Sequence, residues 1–185
     1  SAGGILGAGG KNLGGYKLTT TQQDGRRLVD ATDYFGRTTW HQDLSGYAYT
    51  YRYDAGGRLT SQTSDRGQNI QYAYFANGNI REARDLTQRT LSRYGYDNAG
   101  NRTWESYSGL DASGSGPSGI LQESTIAYDE LNRMSHVKDL AYDLRYEYDA
   151  VGNRRAALAA YFDPLTNGLR RRDDMWYLYD KANRF

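Results

Sequence analysis

Two tyrosines two residues apart, then an aspartate, then glycine or asparagine three residues on: this order of apolar and polar positions recurs along the chain. The clearest copies are Tyr51-Arg-Tyr53-Asp54-Ala-Gly-Gly57-Arg58, Tyr94-Gly-Tyr96-Asp97-Asn-Ala-Gly100-Asn101-Arg102 and Tyr146-Glu-Tyr148-Asp149-Ala-Val-Gly152-Asn153-Arg154. Shorter copies are Tyr128-Asp129-Glu-Leu-Asn132-Arg133 and Tyr177-Leu-Tyr179-Asp180-Lys-Ala-Asn183-Arg184. Two degenerate ones read Asp33-Tyr-Phe-Gly36-Arg37, without the tyrosine pair, and Tyr72-Ala-Tyr74-Phe75-Ala-Asn-Gly78-Asn79, with Phe75 in place of aspartate. The anchor positions 33, 54, 75, 97, 129, 149 and 180 are separated by 21, 21, 22, 32, 20 and 31 residues. A fixed period of this length is the mark of a repeat architecture.

Each motif position has a physical reason. Residues two apart on a strand share a face, so Tyr-x-Tyr predicts a strand with both rings on one side. The aspartate ends it, because its carboxylate can accept a hydrogen bond from a turn amide two residues on. Asp-x-x-Gly suits a three-residue hairpin loop with a bulge, whose last residue has positive φ. Glycine bears no steric cost there, and Asn132 and Asn183 are the next most tolerant choice. A second strand of mixed polarity follows, as in Arg58-Leu-Thr-Ser-Gln-Thr63 and Arg133-Met-Ser-His-Val137. Asp24-Gly25, Asp65-Arg-Gly67 and Asn77-Gly78 are candidate return turns. Two strands of about seven residues and two turns fill one period. The predicted fold is therefore all-β: antiparallel hairpin repeats paired edge to edge in one sheet, with Tyr53, Tyr74, Tyr96, Tyr128, Tyr148 and Tyr179 as a ladder of rings.

The two long steps hold insertions near 108–120 and 156–169. The first contains Gly109-Leu-Asp-Ala-Ser-Gly-Ser-Gly-Pro117-Ser-Gly119, a flexible loop by composition. The second contains the turn signal Asp163-Pro164-Leu-Thr-Asn167-Gly168. Residues 1–15 form a glycine-rich lead-in to the array at 16–185, and Arg184-Phe185 stop just past a turn, which predicts a piece of a longer array with open sheet edges.

Composition narrows the function. Hydrophobic residues make up 38%, and 18 Tyr stand against 4 Phe and 3 Trp, a content suited to a half-wet face rather than a dry core. The net charge of +1 lacks the basic excess of a nucleic-acid footprint. No apolar run reaches membrane-spanning length, and no signal peptide is expected within the chain. Cysteine is absent, which excludes a catalytic thiol, a thiolate metal site and a disulfide framework.

Candidate chemistry does not converge. The glycine-rich start fails as a phosphate loop, since Ile5 and Asn12 occupy positions that need Gly and Ser or Thr. His41 and His136 lie far apart on equivalent-looking strand positions with no ligand pattern around them. The repeated Asp54, Asp97, Asp129, Asp149 and Asp180 sit where a turn needs them. A calcium loop would add oxygen ligands two and four residues on, where Asp54 is followed by Gly56 and Arg58. No cofactor or metal and no enzymatic activity are expected.

The repeated Gly-Arg, variable stretch and Tyr-x-Tyr-Asp, as in Gly57-Arg58 leading to Tyr72-Ala-Tyr74 and Gly100-Asn101-Arg102 leading to Tyr128-Asp129, resemble the Rhs or YD-repeat family over residues 24–185. The resemblance implies a sheet that spirals into a hollow shell. In bacterial members the shell encloses the C-terminal toxic part of the same polypeptide, as in polymorphic toxins used against competitors and insecticidal toxin complexes. Asp163-Pro164-Leu-Thr-Asn-Gly168 is faintly similar to the family's self-cleaving segment, but another repeat follows, so no cleavage residue carries over. The implied partners are the rest of the shell and its enclosed C-terminal domain, and the implied location is secreted or cell-surface. Animal teneurins use a similar shell in adhesion, and tyrosine rows can bind sugars. A glycan-binding adhesion module is therefore the rival expectation.

Overall fold

The computed structural model describes residues 15–179. The glycine-rich lead-in before Gly15, and Asp180, Asn183 and Arg184 of the last repeat, lie outside them. The chain divides into two units, the first ending at Thr90 and the second beginning at Leu91.

In the first unit the strands are β1 (Lys17–Thr21), β2 (Arg27–Thr32), β3 (Thr38–Gln42), β4 (Ala48–Tyr53), β5 (Leu59–Ser64), β6 (Asn69–Tyr74) and β7 (Ile80–Asp85). Each pairs antiparallel with the next. The second unit holds β8 (Thr90–Tyr96, entered from the last residue of the first unit), β9 (Arg102–Leu110), β10 (Pro117–Tyr128), β11 (Met134–Lys138), β12 (Tyr142–Tyr148), β13 (Arg154–Phe162) and β14 (Leu169–Trp176). From β9 onward these also pair with their sequence neighbours. The fold is all-β and antiparallel, and within each unit strand order is chain order. Short connections make this the simplest topology, because every pairing is local.

Register slips by one residue beside each repeat turn, at Thr32, Tyr53, Tyr74, Tyr128 and Tyr148. A bulge absorbs the extra residue of the loop and keeps the two tyrosines of each pair on one face.

Few apolar side chains are buried among the described residues: Val29 and Ala31 in the first unit, and Leu91, Leu110, Ala156 and Ala157 in the second. The tyrosine rings are mostly half-buried instead. In a single sheet, cohesion has to come from contacts along the sheet surface and from backbone ladders, since no second layer caps either face within a unit.

The first insertion differs in part from its sequence reading, and the second keeps the turn expected at Asp163–Gly168. The first is strand at both ends: Gly109 and Leu110 end β9, Pro117 to Gly119 open β10, and a six-residue turn at 111–116 joins them. The second likewise lengthens β13 and β14 around Asp163–Gly168. Glycine-rich composition reads as loop, but neighbouring strands supply ladder partners that override it. Asn77-Gly78 is not a return turn. It closes the repeat turn that starts at Phe75, where the Gly78 amide donates to the Phe75 carbonyl (3.0 Å). The return turns run from Gln22, Asp43, Ser64 and Asp85 in the first unit.

Candidate functional site

The residues that repeat are the residues that interact. At Asp54 the backbone amide donates to the Arg58 carbonyl (2.9 Å) and the Gly57 amide to the Asp54 carbonyl (3.0 Å). One carboxylate oxygen accepts the Arg58 amide (2.9 Å), and the other accepts the Arg58 guanidinium (2.7 Å). Asp33 and Asp129 repeat this with Arg37 and Arg133 at the same offset. Gly57 has φ +83°, and a Cβ there would come 3.3 Å from the Arg37 guanidinium. Asn132 takes the same left-handed place at φ 58°. These bonds hold the carboxylates below their ordinary range: at Asp54 and Asp129 the arginine amide acts first, at Asp97 the Asn101 side chain.

The arginine four residues after the aspartate also reaches the next repeat. The Arg58 guanidinium donates to the Phe75 carbonyl (3.1 Å) and lies over the Tyr74 ring (5.0 Å). Arg133 donates to the Asp149 carbonyl (3.4 Å) and covers Tyr148 (4.4 Å). Arg37 covers Tyr53 (4.8 Å). The covered tyrosine returns a bond, and Tyr128 makes an equivalent one. The hydroxyls of Tyr53, Tyr74, Tyr128 and Tyr148 donate to the carbonyls of Thr38, Leu59, Arg102 and Met134 at 2.7–3.0 Å. Each acceptor lies five residues after the preceding repeat's aspartate. Burial pushes the Tyr53 and Tyr74 hydroxyls above their ordinary value.

Asp97 and Asp149 form a second version. Asn101 and Asn153 stand four residues on and bond the carboxylates through their amide groups (3.0 Å each). Asn101 also reaches the Asn132 side chain of the next turn (2.9 Å). Arginine moves one residue along. Arg102 then covers Tyr94 (4.4 Å) and Arg154 covers Tyr146 (4.5 Å), each within its own repeat.

The expected ladder of touching rings is therefore corrected. Tyr53, Tyr74, Tyr128 and Tyr148 do not stack on one another. Equivalent positions fall on every second strand, roughly 9.5 Å apart, and arginines occupy the space between. Tyr51 lies half-buried beside Tyr53, its hydroxyl pushed up first by burial. Tyr177 donates its amide to the Arg155 carbonyl (3.0 Å) just past β14, and Tyr179 is at the end of the described residues.

The histidines do not occupy equivalent places. His41 stands opposite Asp30 and Tyr49, on the tyrosine face, with Nδ1 2.7 Å from the Asp30 carboxylate. His136 stands opposite Arg145, on the other face of its unit, with Nε2 2.8 Å from Asp143. They sit eight and seven residues after their aspartates, and one residue reverses the face of a strand. Sequence reading missed the Asp43 turn, although Asp43-Leu-Ser-Gly46 has the same spacing as Asp54 to Gly57.

Among the described residues, no three His, Cys, Asp or Glu side chains converge as metal ligands. Two shallow recesses of about 230 and 240 Å³ lie in the second unit, the first lined by Tyr94, Glu105, Tyr107 and Gln122 among others, the second by Asp139 and Pro164 among others. No described helix is long and apolar enough to cross a membrane.

The class defined so far is an antiparallel hairpin-repeat array whose motif residues clasp turn to turn. No protein-family model matches the chain, and no curated protein matches it by sequence. Solved structures do share the fold. The Tc holotoxin pore of Photorhabdus luminescens aligns with a TM-score of 0.69 at 15% identity, covering 88% of this chain and 9% of that one. The TcdB2–TccC3 complex aligns at 0.62 and 14% identity over 90% of this chain and 10% of that one. The same complex without its hypervariable C-terminal region aligns at 0.62 and 15% identity over 89% and 11%. The likeness is one of fold, in agreement with the Rhs or YD-repeat resemblance of the motifs. This chain spans about a tenth of the length of the chains it matches.

Proposed function

We propose that this chain is a non-catalytic wall segment of a YD-repeat β-shell that encloses a C-terminal toxin or effector domain of its parent polypeptide. The observation that supports this reading is where the repeated polar groups are used. Each Asp, Arg or Asn, and second Tyr joins one hairpin to its own turn or to the next, so the motif serves extension of a sheet. A catalytic centre would instead gather unlike groups once, around one reacting atom. The likeness to toxin-complex structures supports the same reading at the level of fold. Under it the partners are the rest of the shell and the enclosed domain, and the parent protein is exported or displayed at the cell surface.

The test uses the parent protein. Its gene is read on both sides of this segment, and the purified product is exposed to a protease under native conditions and in mild denaturant. The reading expects flanking repeats, an unrelated C-terminal domain, and a C-terminal fragment that survives natively but is digested once the array unfolds. A C-terminal domain cut natively as fast as in isolation would refute enclosure. A membrane anchor in place of that domain, with binding on a glycan array, would establish the adhesion alternative.

A further inference from the structure

We propose that Asn167-Gly168 is a site of spontaneous deamidation, and that the fold protects the chain's other Asn-Gly pair, Asn77-Gly78. The two dipeptides are the same in sequence, and all four residues are exposed. Accessibility therefore does not separate them; hydrogen bonding does.

The reaction needs the backbone nitrogen after the asparagine. The Gly168 nitrogen attacks Cγ of Asn167 and loses its proton to solvent, the side-chain nitrogen leaves as ammonia, and a five-membered imide forms. Water then opens the imide at either carbonyl, giving aspartate or a β-linked isoaspartate. A nitrogen whose N–H is held in a good backbone bond is harder to deprotonate and is pinned away from Cγ. A side-chain amide held by a partner is likewise kept from the approach.

At Asn77 both restraints are present. The Gly78 amide donates to the Phe75 carbonyl at 3.0 Å, and Asn77 Oδ1 accepts the Asn79 amide at 3.1 Å. At Asn167 both are weak or missing. The Gly168 amide meets only the Thr166 hydroxyl, at 3.3 Å, and the Asn167 side chain has no partner among the described residues. Asn167 itself sits in the left-handed region at φ 54°, its own amide donating to the Asp163 carbonyl at 2.7 Å. The site has a consequence for the fold. Its product places a new carboxylate in the turn held by the Asp163–Arg170 pair, and the β-linked form adds a backbone atom to the loop that sets the β13–β14 register.

Loss of one backbone hydrogen bond corresponds to about tenfold in rate. The 185-residue chain is aged at mildly alkaline pH, with and without denaturant, and the two Asn-Gly peptides are followed by mass spectrometry with isoaspartate detection. The expected result is that the Asn167 peptide converts about tenfold faster than the Asn77 peptide in the folded chain, and that the two rates converge in denaturant. Equal rates in the folded chain, or faster conversion at Asn77, would overturn the proposal. In N77S the Asn167 rate is expected to be unchanged, which keeps the assignment independent of the other site.

Discussion

Turns closed by arginine and turns closed by asparagine solve the same problem with different reach. At Asp33, Asp54 and Asp129 a guanidinium binds the carboxylate and extends over the next repeat's tyrosine. At Asp97 and Asp149 the short amide of Asn101 or Asn153 binds the carboxylate, and the arginine one residue later folds back over its own repeat. Arginine's fork has enough donors for a carboxylate and a carbonyl together, and its flat face suits an aromatic ring. A one-residue shift along the chain thus changes which tyrosine the arginine covers. Both asparagine turns precede the long hairpins, β9–β10 and β13–β14; the pairing is an observation for which we have no physical account.

Acid should act on both kinds of turn at once. Asp54, Asp97 and Asp129 titrate below their ordinary value in the folded chain. Their contribution is fully present above the unfolded value of about 3.9 and is lost as pH falls through the lowered folded values. The urea midpoint should therefore fall steeply below about pH 4, and a midpoint that stays flat down to about pH 2.5 would refute the assignment.

Single substitutions separate the two kinds. Asp129→Ala removes an acceptor of two amides and a guanidinium. It should lower the midpoint more than any other change named here, with faster hydrogen exchange in β10 and β11. Gly57→Ala should cost about 1–2 kcal/mol, because a left-handed backbone meets a new Cβ. Arg37→Ala in the same background should relieve the contact without restoring the backbone term. Tyr74→Phe should cost about 1 kcal/mol through the orphaned Leu59 carbonyl, whereas Tyr49→Phe should be close to neutral. The smallest effect sharpens the comparison most. Arg154→Gln should cost about 0.5–1 kcal/mol through the lost ring contact, and Arg133→Gln more, because it also gives up the Asp129 carboxylate and the Asp149 carbonyl. Hydrogen exchange should rise around the hairpin's own Tyr146 in the first and around the following repeat's Tyr148 in the second. The same exchange pattern in both would erase the distinction.

Much of this was legible in the residues. Tyr-x-Tyr-Asp and the glycine or asparagine three residues on state a strand, its shared face, its end and its turn, since all four are local backbone matters. Asp43-Leu-Ser-Gly46 shows that the signal was also present where it was overlooked. The strand character of Gly109-Leu110 and of Pro117 to Gly119 was not legible, because it depends on a partner strand rather than on propensity. The opposite faces of His41 and His136 depend on counting bulges correctly, and each bulge changes the parity.

By itself the sequence determined an all-β array of short hairpins, its period and the places where it turns. These follow from side-chain alternation, the steric freedom of glycine and the reach of an aspartate carboxylate, all within a few residues. Only the tertiary structure decided that arginines stand between the tyrosines, that each tyrosine hydroxyl holds a carbonyl of the previous repeat, and that Asn77-Gly78 is restrained where Asn167-Gly168 is not. The first two outcomes rest on distances between residues about fifteen to twenty-five apart in the chain, which strand spacing and register set and no local pattern contains; the third rests on which groups each turn offers its own amides.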